Sequence, residues 1–171
     1  MKNPIKFGTK LALLVCASML LTLTTFGQTQ ISMPKNKKKI EEDLKIGRQA
    51  AAEVERQMPM LNDPASMRYI QDVGDRLAAA VPPQYQRPEF RCTFKIVNAR
   101  DINAFALPGC FLYVNRGMIE AAKNEGEMAG VMAHEISHVA LRHATSNATK
   151  QGSIGNQLGM LGMILGGAIL S

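Results

Sequence analysis

A five-residue pattern, H-E-x-x-H at residues 134–138, limits what this chain can be more than any other stretch. It lies within residues 125–147, where apolar residues recur at helical spacing and predict one long helix. Residues four apart on a helix lie about 40° apart in azimuth and about 6 Å apart along the axis. The imidazoles of His134 and His138 are therefore expected to project from one helix face.

Two imidazoles on one face can bind a metal ion. Their ring nitrogens can meet one zinc ion at about 2.0 to 2.1 Å, so His134 and His138 are the predicted ligands of one Zn2+ per subunit. Glu135 lies about 100° further round the helix, where it can reach a water on the metal without displacing a ligand. Its predicted catalytic role is to pass the proton of that water to the leaving amine of a peptide. The alternative is that these side chains lie on the helix face without a function. In that case nothing would offset the free-energy cost of removing two imidazoles and a carboxylate from water.

A tetrahedral catalytic site needs a third protein ligand, and the sequence leaves its source open. No Asp or Glu follows Glu135, and His143 is nine residues past His134. On a continuous helix His143 lies about 180° away from that position, so it is not expected to close the site. The metzincin pattern is excluded, because its glycine and third histidine would fall at Leu141 and Ala144. The ligand is expected from an upstream carboxylate, from another chain or from sequence absent here.

The first 27 residues have the pattern of a secretory signal peptide. Three lysines precede an apolar run at residues 11–26, which ends at Gly27 before Gln28. An uncleaved membrane anchor is the alternative, but about 16 apolar residues fall short of the roughly 20 needed to span a bilayer. A lipoprotein signal is disfavoured, because Val15 precedes Cys16 where a small residue is expected. The protein is therefore expected to be exported, to the periplasm or the cell envelope.

Charge and composition argue against a nucleic-acid partner. The formal charge of +6 comes from the N-terminal region, because seven of the twenty basic residues precede residue 40. From Ile40 onward 13 basic residues face 14 acidic ones. There is no tryptophan, and aromatic residues make up 5% of the chain, which leaves little on which bases could stack. No nucleic-acid partner is expected.

The rest of the chain is expected to form a leader and one domain. Residues 28–39 are polar and lysine-rich, which predicts a flexible leader, and residues 40–171 form the domain. Two amphipathic helices are expected at the start of the domain. The first runs from Ile40 to the proline at position 59, and the second runs from a cap at Asn62 or Asp63 to the prolines at positions 82 and 83.

Three short strands are expected between these helices and the helix of the H-E-x-x-H pattern. Alternating apolar residues mark the first strand, and the dipeptide Pro108-Gly109 separates the other two. Their predicted bounds are residues 90–98, 103–107 and 111–115. Helices packed on a small three-stranded sheet make this an α+β domain. The apolar, glycine-rich residues 154–170 are interpreted as a core or interface helix, with peripheral membrane contact as the alternative.

Three blocks of sequence, in one order and spacing, resemble the zinc metallopeptidase family of HtpX, BepA and the prenyl-CAAX endopeptidases. They are NAFALPG at 103–109, YVNRGM at 113–118 and AGVMAHEISHVALRH at 129–143, within a resemblance that begins near Asp63. It implies a zincin-like fold, with His134 and His138 as zinc ligands and Glu135 as the catalytic acid/base. It also implies that the third ligand is a glutamate on a later helix, so the chain is expected to be C-terminally incomplete.

The resemblance further implies how substrate binds. The strand with Asn103 and Ala104 is similar to the gluzincin edge strand whose backbone pairs with an extended substrate, a plain core strand being the alternative. The export signal points to the exported branch of the family, whose substrates are unfolded or misassembled envelope proteins. Cys110 stands where the family commonly has glycine, which suggests pairing with Cys92. From the residues alone, a disulfide and two buried thiols are both open.

Two functions therefore compete. The leading hypothesis is an exported zinc-dependent metalloendopeptidase in envelope protein quality control. The alternative is a catalytically incomplete, chaperone-like module on the same scaffold, which holds zinc weakly through two histidines and binds polypeptide by strand pairing.

Overall fold

The computed structural model describes residues 31–150, so the predicted signal peptide and the glycine-rich residues 154–170 lie outside the described residues. Of the described residues, those from Met33 onward belong to one compact unit. The elements in chain order are α1 (Ile40–Gln57), α2 (Pro64–Ala79), a 3-10 turn (Pro83–Tyr85), β1 (Thr93–Val97), β2 (Ala104–Leu107), β3 (Phe111–Asn115), α3 (Arg116–Ala121), α4 (Glu125–Ala140) and α5 (His143–Lys150). The predicted α+β class and three-stranded sheet are confirmed.

Strand β3 lies in the middle of the sheet. It pairs in parallel with β1 and antiparallel with β2, which gives the order β1-β3-β2 and leaves β2 at an edge of this sheet. One face of the sheet packs on α2 and α4, and the other packs on α1. The core side chains on the first face include Phe94, Ile96, Leu112 and Val114, and those on the second include Phe105, Leu107 and Tyr113.

Local sequence explains where α2 and α4, the two helices on the first face of the sheet, begin. The carboxylate of Asp63 accepts the backbone N–H of Ser66 at 2.8 Å, and Pro64 occupies the first turn, so the predicted cap of α2 is confirmed. In the same way, the side chain of Asn124 accepts the N–H of Glu127 at 3.1 Å at the start of α4. Side-chain oxygens thus satisfy backbone donors that a helix end leaves without partners.

The first strand is shorter than predicted. Residues 90–98 were expected to be extended, but β1 covers only Thr93–Val97. Its partner β3 begins at Phe111, opposite Thr93, so the residues before Thr93 have no strand beside them in this sheet. Phe90 and Cys92 nevertheless pack against the same core cluster as the strand, which explains the longer alternating pattern. The short helix α3 was not predicted.

A disulfide joins Cys92, just before β1, to Cys110, just before β3. Their Cα atoms lie 4.5 Å apart. Gly109 and Cys110 both have a positive φ, of 77° and 75°, as the chain reverses between β2 and β3. Glycine adopts this conformation readily, whereas Cys110 adopts it at a cost.

One long helix was predicted over residues 125–147, and this prediction is wrong in one respect, because the structure has two helices there. Helix α4 ends at Ala140, and α5 begins at His143. Arg142 between them has a φ of 55°, in the left-handed region, which a continuing α-helix does not allow. The cause is tertiary: the Arg142 guanidinium donates to the carboxylate of Asp43 at 2.6 and 3.0 Å and to the Lys38 carbonyl at 2.7 Å.

The chain before α1 lies against α5. The hydroxyl of Ser146 donates to the Lys35 carbonyl at 3.0 Å, and the amide of Asn36 donates to the hydroxyl of Thr145 at 2.8 Å. Part of the predicted leader is therefore bonded to the domain. Within residues 31–150, no helix has the length and apolarity needed to cross a membrane.

Candidate metal centre

Helix α4 brings the two predicted ligands together. The Nε2 atoms of His134 and His138 lie 3.1 Å apart, and the ring planes meet at 77°. Two nitrogens that bind one tetrahedral zinc ion at about 2.05 Å lie about 3.3 Å from each other. His134 is exposed and His138 is half-buried, so the space between the nitrogens is reachable from solvent. The two histidines therefore fit a zinc ion.

Residues 31–150 show no third metal-binding side chain beside the two histidines. No group of three histidine, cysteine, aspartate or glutamate side chains in this part of the chain is close enough to hold a metal ion. Of the sources expected from the sequence, an upstream carboxylate folded back onto α4 therefore finds no support among the described residues.

Glu135 lies beside the histidines in a partly desolvated position. Burial raises its pKa above the ordinary value, although His138, His134 and a hydrogen bond from the Ala106 backbone N–H all act to lower it. The net shift is upward because desolvation disfavours the carboxylate more than these three groups favour it. A carboxylate with a raised pKa is a better proton acceptor, which is what a general base near neutral pH requires.

His143 is closer to the site than a continuous helix would allow. Because α4 ends before it, its Nδ1 atom lies 2.7 Å from the Nδ1 atom of His138. Burial, followed by the charges of His138 and Lys150, lowers the pKa of His143, which favours its neutral form. The expectation that His143 points to the far side of the helix is therefore wrong. It contacts the ring nitrogen of His138 that faces away from His134, so it does not join the metal-facing pair.

The edge strand β2 lies along helix α4, and its backbone groups alternate in direction. The carbonyl of Asn103 accepts the N–H of Asn115 at 2.9 Å, and the N–H of Asn103 donates to the Asp101 carbonyl at 3.0 Å. Because backbone groups alternate along an antiparallel strand, those of Ala104 and Ala106 face away from β3. Of the two residues expected to pair with substrate, Ala104 faces the edge, whereas the backbone groups of Asn103 are already bonded.

Sequence reasoning missed three contributors to this site. Ala106 lies within the NAFALPG block but was not singled out, and the break that places His143 depends on Asp43 and Arg142. One signal was available: Asp43 falls on the buried face of α1, alongside Ile46. A charged residue on a buried face indicates a buried partner, but the pattern does not say which one.

A helix with two convergent histidines and a glutamate, beside a sheet edge, has the arrangement of the zincin class of metallopeptidases. Residues 64–169, more than half of the chain, match Peptidase family M48, and the chain belongs to this family. The resemblance seen in the sequence is thereby confirmed.

Similar proteins carry names that agree with the family. The chain is 33% identical over 128 residues to the beta-barrel assembly-enhancing protease of Yersinia pestis, and the aligned residues cover 74% of this chain and 26% of that protein. It is 33% identical over 104 residues to the protein of that name from Escherichia coli K12, covering 61% and 20%. It is 36% identical over 55 residues to the mitochondrial metalloendopeptidase OMA1 of Arabidopsis thaliana, covering 32% and 11%. The chain thus spans about a quarter or less of these relatives.

Proposed function

We propose that this chain carries the zinc-binding and catalytic helix of a metalloendopeptidase. The observation that supports it most is the convergence of two Nε2 atoms, 3.1 Å apart, on the helix that also carries Glu135. His134 and His138 hold the metal, and a further ligand comes from outside residues 31–150. When bound, zinc supplies Lewis acidity, which acidifies water and polarises a peptide carbonyl.

The proton transfer in this reaction is carried out by a side chain of the protein. Glu135 takes a proton from the attacking water and delivers it to the leaving amine. The Ala106 N–H donates to the Glu135 carboxylate, so the base is held against the strand that receives substrate. The upward shift in the pKa of Glu135 brings the proton affinity of this carboxylate closer to those of the water and of the leaving amine.

Substrate binds as an extended strand along the edge of β2 that faces away from β3. The backbone groups of Ala104 face this edge, and pairing with them places a peptide bond in front of α4. Recognition through backbone groups is tolerant of sequence, which suits unfolded or misassembled proteins. The side chain of Asn103, at the start of the same edge, provides a further polar contact.

The protein acts outside the cytoplasm, in the periplasm or envelope. The signal pattern in the first 27 residues and the Cys92–Cys110 disulfide support export, since disulfides persist in oxidising compartments. Two relatives are named beta-barrel assembly-enhancing protease, and a protease of this kind fits the proposed role in envelope protein quality control. For the apolar residues 154–170, membrane contact stays the alternative to a core or interface helix.

The test is cleavage of a reduced, carboxymethylated protein by the purified chain with zinc. Glu135→Gln is expected to abolish cleavage while leaving zinc affinity unchanged, because Glu135 is not a ligand. Glu120→Gln, an exposed glutamate on α3, serves as the matched control and is expected to retain activity. If neither the unaltered chain nor Glu135→Gln cleaves, and both bind unfolded protein but hold zinc weakly, the polypeptide-binding module is the correct function.

A further inference from the structure

His138 is held between two other histidines, one at each ring nitrogen. Its Nε2 faces the Nε2 of His134 at 3.1 Å, and its Nδ1 faces the Nδ1 of His143 at 2.7 Å. The two contacts use opposite sides of the imidazole. The presence or absence of a proton on Nδ1 therefore decides whether Nε2 has a lone pair for a metal ion.

A neutral imidazole carries one proton, on either Nδ1 or Nε2. Only the nitrogen without the proton has a lone pair for a metal. If His138 donates from Nδ1 to His143, its Nε2 lone pair faces the His134 side. If His143 donates instead, the proton of His138 moves to Nε2 and blocks that nitrogen.

We propose that His143 is a positioning residue, which accepts the Nδ1–H of His138 and so reserves the Nε2 atom of His138 for zinc. This inference rests on the proposed function, because it assigns a role toward the metal of that site. Metal-bound histidines usually donate their second N–H to an acceptor that fixes the ring. Here the acceptor is a second imidazole rather than a carboxylate or a carbonyl.

The position of His143 is imposed by contacts on Arg142. The guanidinium is bonded to both carboxylate oxygens of Asp43 and to the Lys38 carbonyl, and the Arg142 backbone has a φ of 55°. This ends α4 and turns the chain, so His143 returns toward His138 instead of continuing around the helix. Asp43, on α1, thereby supports the orientation of a zinc ligand on α4.

The first measurement uses the unaltered chain without metal. Long-range 1H–15N NMR correlations, recorded at about pH 8.5, two units above the reference pKa of histidine, distinguish the two tautomers of His138. The proposal expects the proton on Nδ1. A proton on Nε2 in the metal-free chain would overturn the proposal without any variant being made.

The second measurement is zinc affinity by competition with a chelator. His143→Leu removes the acceptor and is expected to weaken zinc binding by about 10- to 100-fold, the usual effect of losing such a partner. His143→Gln keeps an acceptor and is expected to recover part of this loss. Asn147→Gln, at an exposed position of α5, is the control and is expected to bind zinc as the unaltered chain does.

The outcomes separate the two proposals. If the unaltered chain binds no zinc, the proposed function fails, whereas the tautomer of His138 still tests the role of His143. If the unaltered chain binds zinc and His143→Leu binds it equally well, the positioning role is wrong and the metal centre stands. Circular dichroism of each variant shows whether a loss of affinity accompanies a loss of fold.

Discussion

Asp43 and Arg142 form a bidentate ion pair across 99 residues of sequence, which joins helix α1 to the turn between α4 and α5. Asp43 is only 1% exposed, and the Arg142 side chain is 12% exposed. The pair sets the left-handed backbone of Arg142 and, through it, the place of His143. Asp43, which is far from His134 and His138 in the sequence, therefore shapes the surroundings of these predicted ligands.

Removing one partner of this pair is expected to destabilise the fold strongly. Asp43→Ala leaves a guanidinium buried without its counter-charge, which costs about 3–5 kcal/mol in the free energy of unfolding. Urea denaturation followed by circular dichroism measures this difference. Glu125→Gln breaks the exposed pair with Arg76 and is the control, expected to unfold at nearly the same urea concentration as the unaltered chain. Equal effects of the two substitutions would contradict the assigned role of Asp43.

Two helical glycines are expected to respond in opposite directions to alanine. A Cβ at Gly47 would lie 1.8 Å from the Pro108 carbonyl oxygen, so Gly47→Ala must displace backbone and is expected to cost about 3 kcal/mol. A Cβ at Gly130 meets no atom within 4 Å, so Gly130→Ala is expected to gain about 0.5–1 kcal/mol from helix propensity. Thermal and urea unfolding of both variants check the signs. A stable Gly47→Ala variant would mean that α1 does not approach the Pro108 turn so closely.

Loss of the disulfide is expected to lower stability without changing the fold. Cys92 and Cys110 are 18 residues apart, and closing a loop of this size stabilises a protein by about 3 kcal/mol in the chain-entropy account. The Cys92→Ser/Cys110→Ser double variant should therefore unfold at a lower urea concentration. Dithiothreitol should destabilise the unaltered chain and leave the double variant unaffected. Insensitivity of the unaltered chain to the reductant would show that the two thiols are free.

Alkaline pH is expected to weaken the fold through Tyr113. Burial, followed by its hydrogen bond to Glu55 and the charge of that carboxylate, raises the pKa of Tyr113 well above its ordinary value. The unfolded chain releases this proton from about pH 10 while the folded chain keeps it, so stability falls as the pH rises above that value.

The control for this effect is Tyr113→Phe. At pH 8 the variant is expected to be less stable by about 0.5–1.5 kcal/mol, because one buried hydrogen bond is lost. This difference should shrink as the pH rises above about 10, since the variant has no proton to lose at this position. Unfolding free energies from pH 8 to pH 11 measure the trend. A constant difference would contradict the raised pKa of Tyr113.

Local patterns predicted most of the elements, because their causes are local. The cap at Asp63 and the proline after it fixed the start of α2, and alternating apolar residues marked β1. The spacing of His134 and His138 alone predicted that both imidazoles share a face, since helix geometry requires it. These features depend on neighbours within a few residues.

By itself, then, the amino-acid sequence determined the class of the domain and the helix that carries His134, Glu135 and His138. Only the tertiary structure decided where that helix ends, because Leu141 and Arg142 carry no signal that breaks a helix. The break comes from an ion pair with Asp43, and its energy exists only once α1 lies against the turn. The contact between His143 and His138 depends on that packing, so no pattern along the chain could have predicted it.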